Sequence, residues 1–334
     1  MKNILVLGAT GAMGVYLVPE LARNGYHVDA VSLDDVKENP ENITYIQMNA
    51  KDDAAVKALL DKTKYDAIID FILYNVDEFL GRMKMLLDNT QHYIFLSSYR
   101  VYSGLECPVK ETTPRLLDVT TDMEFMSQAD HLYALYKARE ENLLRNSGYK
   151  NWTILRPSMV FSKRRYQLVA MEANTFLYRV QEGKTVLIPA VALDIQGAMI
   201  WAGDVAKMIT RLVLNEKAYG EAFSVASSEK HTWREIIGYY EEIVGMKWAT
   251  ASTEDYQTLF VNERNTWYRH IYDRFYNRHM DNTKILEATG MKQEELMPLK
   301  EGLKLELGSI QGKHVWEESG LSRRMDELME RLQK

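Results

Sequence analysis

The stretch Asn3-Ile-Leu-Val-Leu-Gly8-Ala-Thr-Gly11-Ala-Met-Gly14 decides the fold of this chain. A short apolar run that ends at a glycine reads as a buried parallel strand. Met13–Asn24 follows with helical spacing and stops at Gly25. Three glycines therefore separate a strand from a helix. Glycine lets the backbone turn tightly and lets a diphosphate approach it, while the helix N-terminus offers free N–H groups to the anion. The spacing is G-x-x-G-x-x-G rather than the commoner G-x-G-x-x-G. Directly after the first strand it predicts a dinucleotide site; the plainer alternative is a packing turn.

Downstream the same alternation continues. His27–Val31 and Thr44–Met48 read as strands, and Asp52–Leu60 as a helix opened by acidic residues that suit its N-terminal dipole. Asp66–Ile72 is a fourth strand, Val76–Leu87 an amphipathic helix, and Tyr93–Leu96 a fifth strand that runs into Ser97-Ser98. Ala129–Asn146 reads as a long helix and Trp152–Leu155 as a sixth strand stopped by Pro157. Pro19, inside the first helix, predicts a slight kink. This rhythm predicts an α/β fold: a Rossmann-like, doubly wound parallel sheet with a smaller, mostly helical C-terminal substrate domain. Residues 1–158 with 193–226 form the expected dinucleotide-binding domain, and 159–192 with 227–334 the substrate-binding one. Ligands of such sheets lie along the C-terminal strand edge, where the segments after Gly8, Val31, Phe71 and Leu96 meet. In the second half, Phe176–Glu182 and Thr232–Val244 read as helical, Met199–Leu214 contains Trp201-Ala-Gly-Asp-Val-Ala, a turn into a helix, and Glu221–Ala226 reads as a strand.

Bulk properties narrow the class. The 334 residues are 46% hydrophobic and 26% charged, with a formal net charge of -6. That acidic balance argues against a general nucleic-acid or membrane-surface binder. No stretch is long and apolar enough to span a membrane. The apolar run after Lys2 ends at Gly8, too soon for a secretory signal. Cys107 is the one cysteine, so an intramolecular disulfide or cysteine-based metal cluster is ruled out. A reducing, cytoplasmic setting is the expectation. The histidines show no metal-ligand spacing, so no metal is expected.

Two further elements carry chemistry. Tyr133-Ala-Leu-Tyr-Lys137 puts a phenol and an ammonium on one helical face. A phenol is a poor acid–base group at neutral pH unless a nearby cation favours phenolate. One such pair is expected by chance among 20 tyrosines, and a solvent-facing pair is the plain alternative. Ser98, at the end of the fifth strand, would stand at the ligand edge and could hold a substrate oxygen; the alternative is a strand-end cap.

In this order the three elements resemble the extended short-chain dehydrogenase/reductase superfamily, in its NAD-dependent epimerase/dehydratase family. Gly8, Gly11 and Gly14 match its phosphate turn, and Ser98, three residues before Val101-Tyr102, matches its catalytic Ser or Thr. Tyr133 and Lys137 match its catalytic pair. Leu155-Arg156-Pro157 matches the strand end bordering the substrate pocket, and Asp204-Val-Ala and Asp281-Asn-Thr-Lys284 match later family patterns. The resemblance implies that Tyr133 is the general acid/base, that Lys137 binds ribose and activates the tyrosine, and that Ser98 polarises a sugar-like hydroxyl or ketone. Gly8, Thr10, Gly11, Ala12, Met13, Gly14, Ser32, Asp34, Asn49, Phe71, Tyr133, Lys137 and Pro157 are the expected contacts to NAD, with NADP the alternative. Asp34 lies near the spacing of a ribose-binding acid, and no arginine stands nearby to receive a 2′-phosphate. The family's dimers use a four-helix contact that includes the tyrosine helix, so a homodimer is a further expectation.

Departures matter too. Where sugar-nucleotide enzymes often carry R-x-x-N, this chain has Arg156-Pro-Ser-Met159, and Met159 cannot hydrogen-bond a diphosphate. UDP-hexoses are therefore expected to be poor ligands. Trp267–His279 is dense in aromatics and arginines. It reads as a core-facing helix with a charged outer face, or as a substrate lid in which an arginine binds an anion. The second functional class is a binding protein of the same fold, a dinucleotide sensor or RNA-binding scaffold. An intact Ser98, Tyr133 and Lys137 speaks for the enzyme.

Overall fold

Successive strand residues face opposite sides of a sheet, and the first strand buries both. Ile4 and Val6 pack with Leu17, Val18 and Leu21 on one side, whereas Leu5 and Leu7 pack with Val56, Phe79 and Leu86 on the other. A parallel sheet covered on both faces requires such continuous apolar strands. The computed structural model describes residues 1–38, 40–260, 263–310, 312 and 314–332. Its main sheet contains β1 (Asn3–Leu7), β2 (His27–Ser32), β3 (Ile43–Gln47), β4 (Tyr65–Asp70), β5 (Thr90–Leu96), β6 (Trp152–Pro157) and β7 (Glu221–Val225). All neighbours pair in parallel, in the order β3-β2-β1-β4-β5-β6-β7.

That order reverses direction between β1 and β4, which opens a crevice at the C-terminal strand edge. The register sets Leu7 beside Val31 and Asp70, and Leu96 beside Leu155. The loops after these residues consequently leave the sheet together. Pro157 belongs to β6 instead of lying beyond it: β7 lies alongside, and Val225 is its partner in the register.

Local signals explain the helix starts. In α1 (Gly14–Arg23), Pro19 lies inside as read. For α2 (Asp53–Lys62), the Asp52 carboxylate accepts from the N–H groups of Ala54 and Ala55. For α3 (Val76–Asp88), Asn75 and Glu78 form a reciprocal capping box. Residues 129–132 remain outside α4 (Tyr133–Asn146), so Tyr133 opens that helix. The second half adds helices Ala173–Gln181, Ala202–Leu212, Trp233–Val244, Leu299–Ile310 and Gly320–Leu332. A separate apolar cluster, including Phe176, Leu187, Trp233, Tyr240 and Leu303, binds most of them together. Among the described residues no helix is long and apolar enough to cross a membrane.

His92 shows how polar groups survive inside this sheet. The Leu214 N–H donates to Nδ1 at 3.0 Å, which leaves the proton on Nε2, 2.7 Å from Thr153 Oγ1. Burial pushes the imidazole pKa down from 6.5 to about 4. The unfolded chain therefore takes up the proton first as pH falls. The stability contributed by neutral His92 is complete above about pH 6.5 and is lost progressively towards pH 4. In an NMR titration, the His92 ring shifts should hold their neutral values from about pH 7 to about pH 5. A midpoint near 6.5 would show that the ring is not sealed from water.

Candidate active site

Three glycines shape the turn after β1, each under a different constraint. Gly8 has φ +86°, and an added Cβ would press within 3.2 Å of Phe71 Cβ. A Cβ on Gly14 would lie 2.2 Å from the Ala9 carbonyl oxygen, so close helix–strand packing demands glycine there. Gly11 differs: its Cβ would meet only the Gly8 carbonyl oxygen, at an ordinary 3.4 Å. The fold does not need glycine at position 11, and the bare Cα leaves the backbone there open to close approach. The neighbouring Thr10 hydroxyl lies 2.6 Å from that of Ser32, joining this turn to the end of β2. Ser32 Oγ also accepts from the Asp34 N–H at 2.9 Å.

A cleft of about 920 Å³ runs along this strand edge. Gly8, Thr10, Gly11, Ala12, Met13, Gly14, Ser32, Asp34, Asn49, Phe71, Ser98, Tyr133 and Pro157 all line it. They come from the ends of β2 and β6, from the segments that follow β1 to β5 and from the first residue of α4, and the parallel register gathers them. The Gly11 N–H donates to the Gly8 carbonyl at 3.2 Å, and the N–H groups of Ala12, Met13 and Gly14 that follow are of the kind a dinucleotide diphosphate requires.

Lys137 is the exception. It is 1% exposed and does not line the cleft. Its ammonium lies 2.8 Å from the Glu140 carboxylate and 4.6 Å from the centre of the Phe95 ring. Burial raises the Glu140 pKa to about 7, although Lys137 opposes the shift. Glu140 stands three residues after Lys137, so the helical spacing that paired Tyr133 with Lys137 could also have revealed it.

The two serines after β5 are distinct. Ser97 Oγ donates to Glu141 at 2.6 Å, inside the protein. Ser98 Oγ accepts from the Arg100 N–H at 3.2 Å and keeps its own proton available. Glu141 also receives both arms of Arg156, at 2.8 and 2.6 Å, and Arg115 at 3.2 Å. Burial opposes the charge on Glu141, but Arg156, Ser97 and Arg115 outweigh it and hold the carboxyl below its usual range. This bidentate pair ties α4 to the end of β6, and the Ser97 bond ties it to the residue after β5.

At the other end of the cleft the arginines gather. Arg264–Arg269 is a short helix that passes into a π-turn over His270–Arg274. The expected charged outer face is absent here: Asp273, Arg274 and Arg278 are buried, and Arg269 and Arg274 line the cleft with Arg100, Arg164 and Arg165. The π-turn breaks the regular spacing on which the outer-face reading depended. Met159 lines the cleft as well. The objection to a diphosphate is thus reduced to one missing neutral donor, because Arg164, Arg165, Arg269 and Arg274 face the cleft. Arg100 stands two residues after Ser98, so the strand-end position that marks Ser98 marks Arg100 too.

Comparisons with known proteins agree with this geometry. A family model described as NAD(P)H-binding matches residues 8–216. The chain is 28% identical to UDP-glucose 4-epimerase 2 of Arabidopsis thaliana over 144 residues, 34% of this chain and 41% of that protein. It thus spans about two fifths of that relative's length. A dTDP-glucose 4,6-dehydratase of Bacillus anthracis, solved with NAD, superposes with TM-score 0.69 at 14% identity, over 95% of this chain and 99% of its own. A UDP-glucose 4-epimerase of Thermotoga maritima, solved with UDP-glucose, gives 0.64 at 20% identity, over 93% and 99%. The enzyme WbmG of Bordetella bronchiseptica, solved with NAD and UDP, gives 0.66 at 16%, over 93% and 96%. With its parallel sheet, its glycine turn and a family match over more than half its length, the chain belongs to the NAD(P)H-binding family and has the fold of the extended short-chain epimerases and dehydratases.

Proposed function

We propose that this chain is an NAD(P)-dependent epimerase, dehydratase or reductase acting on a sugar-like hydroxyl or ketone. The observation that carries the reading is the opening of Gly11, Ser98 and Tyr133 onto one cleft. A binding scaffold has no need to keep a free serine hydroxyl and a phenol at that edge. Bound nicotinamide supplies hydride transfer with a carbinol or ketone carbon. The chain's own residues do the rest. Backbone N–H groups at Ala12–Gly14 hold the diphosphate against the bare Gly11, and Ser32, Asp34 and Asn49 hold the adenosine end. The Asp34 carboxylate repels a 2′-phosphate, which favours NAD over NADP. Ser98 Oγ donates to the substrate oxygen, and Tyr133 Oη takes or returns its proton. Lys137 acts from one turn further along α4, and reaching a ribose hydroxyl would require it to leave Glu140.

The division between residues 1–158 with 193–226 for the dinucleotide and 159–192 with 227–334 for the substrate belongs to the same proposal. So does a homodimer through a four-helix contact that includes α4.

Two substitutions test the reading. Gly11→Ala should fold with an unchanged melting temperature, since its Cβ meets only ordinary contact, yet weaken NAD binding by about tenfold. Unchanged NAD affinity by calorimetry would remove the turn from the binding site. Tyr133→Phe should leave the NAD dissociation constant within about twofold and lower the rate of nicotinamide reduction by about 10²–10⁴-fold. The rate is read as absorbance of reduced nicotinamide on mixing the NAD-loaded protein with sugar nucleotides and free sugars. An unchanged rate would dismiss Tyr133 as the acid/base.

A further inference from the structure

Four buried or half-buried arginines crowd the substrate end of the cleft, and they are not equivalent. Arg274 is spent on the Asp273 carboxylate, the Tyr99 hydroxyl and, at 2.6 Å, the Val169 carbonyl. Arg278 is spent on Asp273 at 3.2 Å and on the Ser103 and Tyr102 carbonyls at 3.0 and 3.2 Å. Arg269 has one weak partner, Glu172 at 3.2 Å, and its Nε is buried without an acceptor. Arg100 is poorer still. Among the described residues its guanidinium makes no hydrogen bond; its Nε is buried, and the nearest carboxylate oxygen, of Asp273, is 3.4 Å away.

Charge accounting gives the same asymmetry. Arg100, Arg269, Arg274 and Arg278 face Asp273 and Glu172, and Arg165 also draws on Glu172 at 3.6 Å. Burial and repulsion from Arg274 and Arg100 both disfavour charge on Arg269, and burial does the same to Arg100. Unfilled donors and mutual repulsion are both costly to bury, and an anion between these guanidiniums relieves both costs.

Position identifies where that anion lies. The Arg100 guanidinium carbon is 5.0 Å from the centre of the Tyr133 ring. Arg100, Arg269 and Tyr133 line both the main cleft and a side pocket of about 190 Å³. Phe125, Tyr268 and Tyr272 supply aromatic walls to that side pocket, and Asp273 also reaches it. The space suits a small, planar, singly charged group, and the Asp273 carboxylate discourages a dianion.

We propose that Arg100, supported by Arg269, is a specificity-determining residue that receives a substrate carboxylate beside Tyr133, so that the substrate is a hydroxy or keto acid, such as a sugar acid. This assignment rests on the proposed nicotinamide chemistry, because Tyr133 marks the reacting carbon. It extends that reading by placing the negative charge next to the carbon that reacts.

The test is calorimetry on the NAD-loaded full chain with D-glucuronate and D-glucose, a pair differing by the carboxylate, and with inorganic phosphate as a third probe. Glucuronate should bind at least about tenfold more tightly than glucose, as expected of a bidentate guanidinium–carboxylate pair. Arg100→Gln should bring the two within about twofold of each other while leaving NAD affinity unchanged. If that variant does not fold, Arg100→Lys carries the test: it keeps the charge but loses the planar fork, and should lose most of the preference. Normal NAD binding with equal affinity for the two sugars would overturn this inference alone, and so would an undiminished preference in the folded variant. Phosphate binding more tightly than glucuronate, with the same dependence on Arg100, would overturn the carboxylate assignment. Failure of the wild type to bind NAD would sink the nicotinamide reading and this inference with it.

Discussion

The buried carboxylate of Glu141 is the constraint on which the site depends. It accepts from Arg156 in a bidentate pair, from Ser97 and from Arg115. Those four residues lie on α4, at the end of β6, just after β5, and in the loop that precedes α4. Removing one partner of such a pair leaves a buried charge uncompensated, at a cost of about 3–5 kcal/mol. The geometry of Tyr133 and Ser98 is a consequence of that clamp. Tyr133 lies two turns before Glu141 on the same helix, and Ser98 directly follows Ser97. Arg156 further stacks over Tyr102, its guanidinium carbon 4.7 Å from the ring centre, which anchors the turn beyond Ser98.

Local pattern made most of the fold legible. The strand runs at Asn3–Leu7 and Asp66–Ile72 carry apolar residues for both sheet faces, and Asp52, Thr232 and the glycines mark the ends of helices. The cofactor edge was legible for the same reason: in a parallel sheet the residues after successive strands converge whatever their spacing in the chain. What stayed hidden depends on contacts between distant segments. Lys137 and Tyr133 share a helical face in projection, yet Glu140 and Phe95 hold the ammonium away from the cleft. The run Trp267–His279 has a helical stripe, but a π-turn over His270–Arg274 rotates its arginines inward. No periodicity argument anticipates that turn, because Asp273 and the Tyr99 hydroxyl draw the guanidiniums in, and Tyr99 is 174 residues away from Asp273.

Electrostatics separates the two ends of the cleft. At the glycine turn, donors are backbone N–H groups, and the carboxylate of Asp34 lines the cleft beside them. At the far end, donors are arginines in excess over their carboxylate partners. A dinucleotide with its diphosphate at the glycine turn, together with the proposed carboxylate-bearing substrate at the arginines, satisfies both. The net charge of -6 does not conflict with this, since a protein's overall charge sets its long-range field while the cleft sets what binds.

The central claim is that one cleft holds a nicotinamide dinucleotide across the glycine turn, with its reactive ring at Tyr133. A crystal structure of the chain with NAD tests it most directly. The diphosphate should lie on the N–H groups of Ala12–Gly14, the adenosine beside Asp34 and Asn49, and the nicotinamide between Ser98, Tyr133 and Pro157. A dinucleotide bound outside this cleft, or one whose nicotinamide points away from Tyr133, would contradict it.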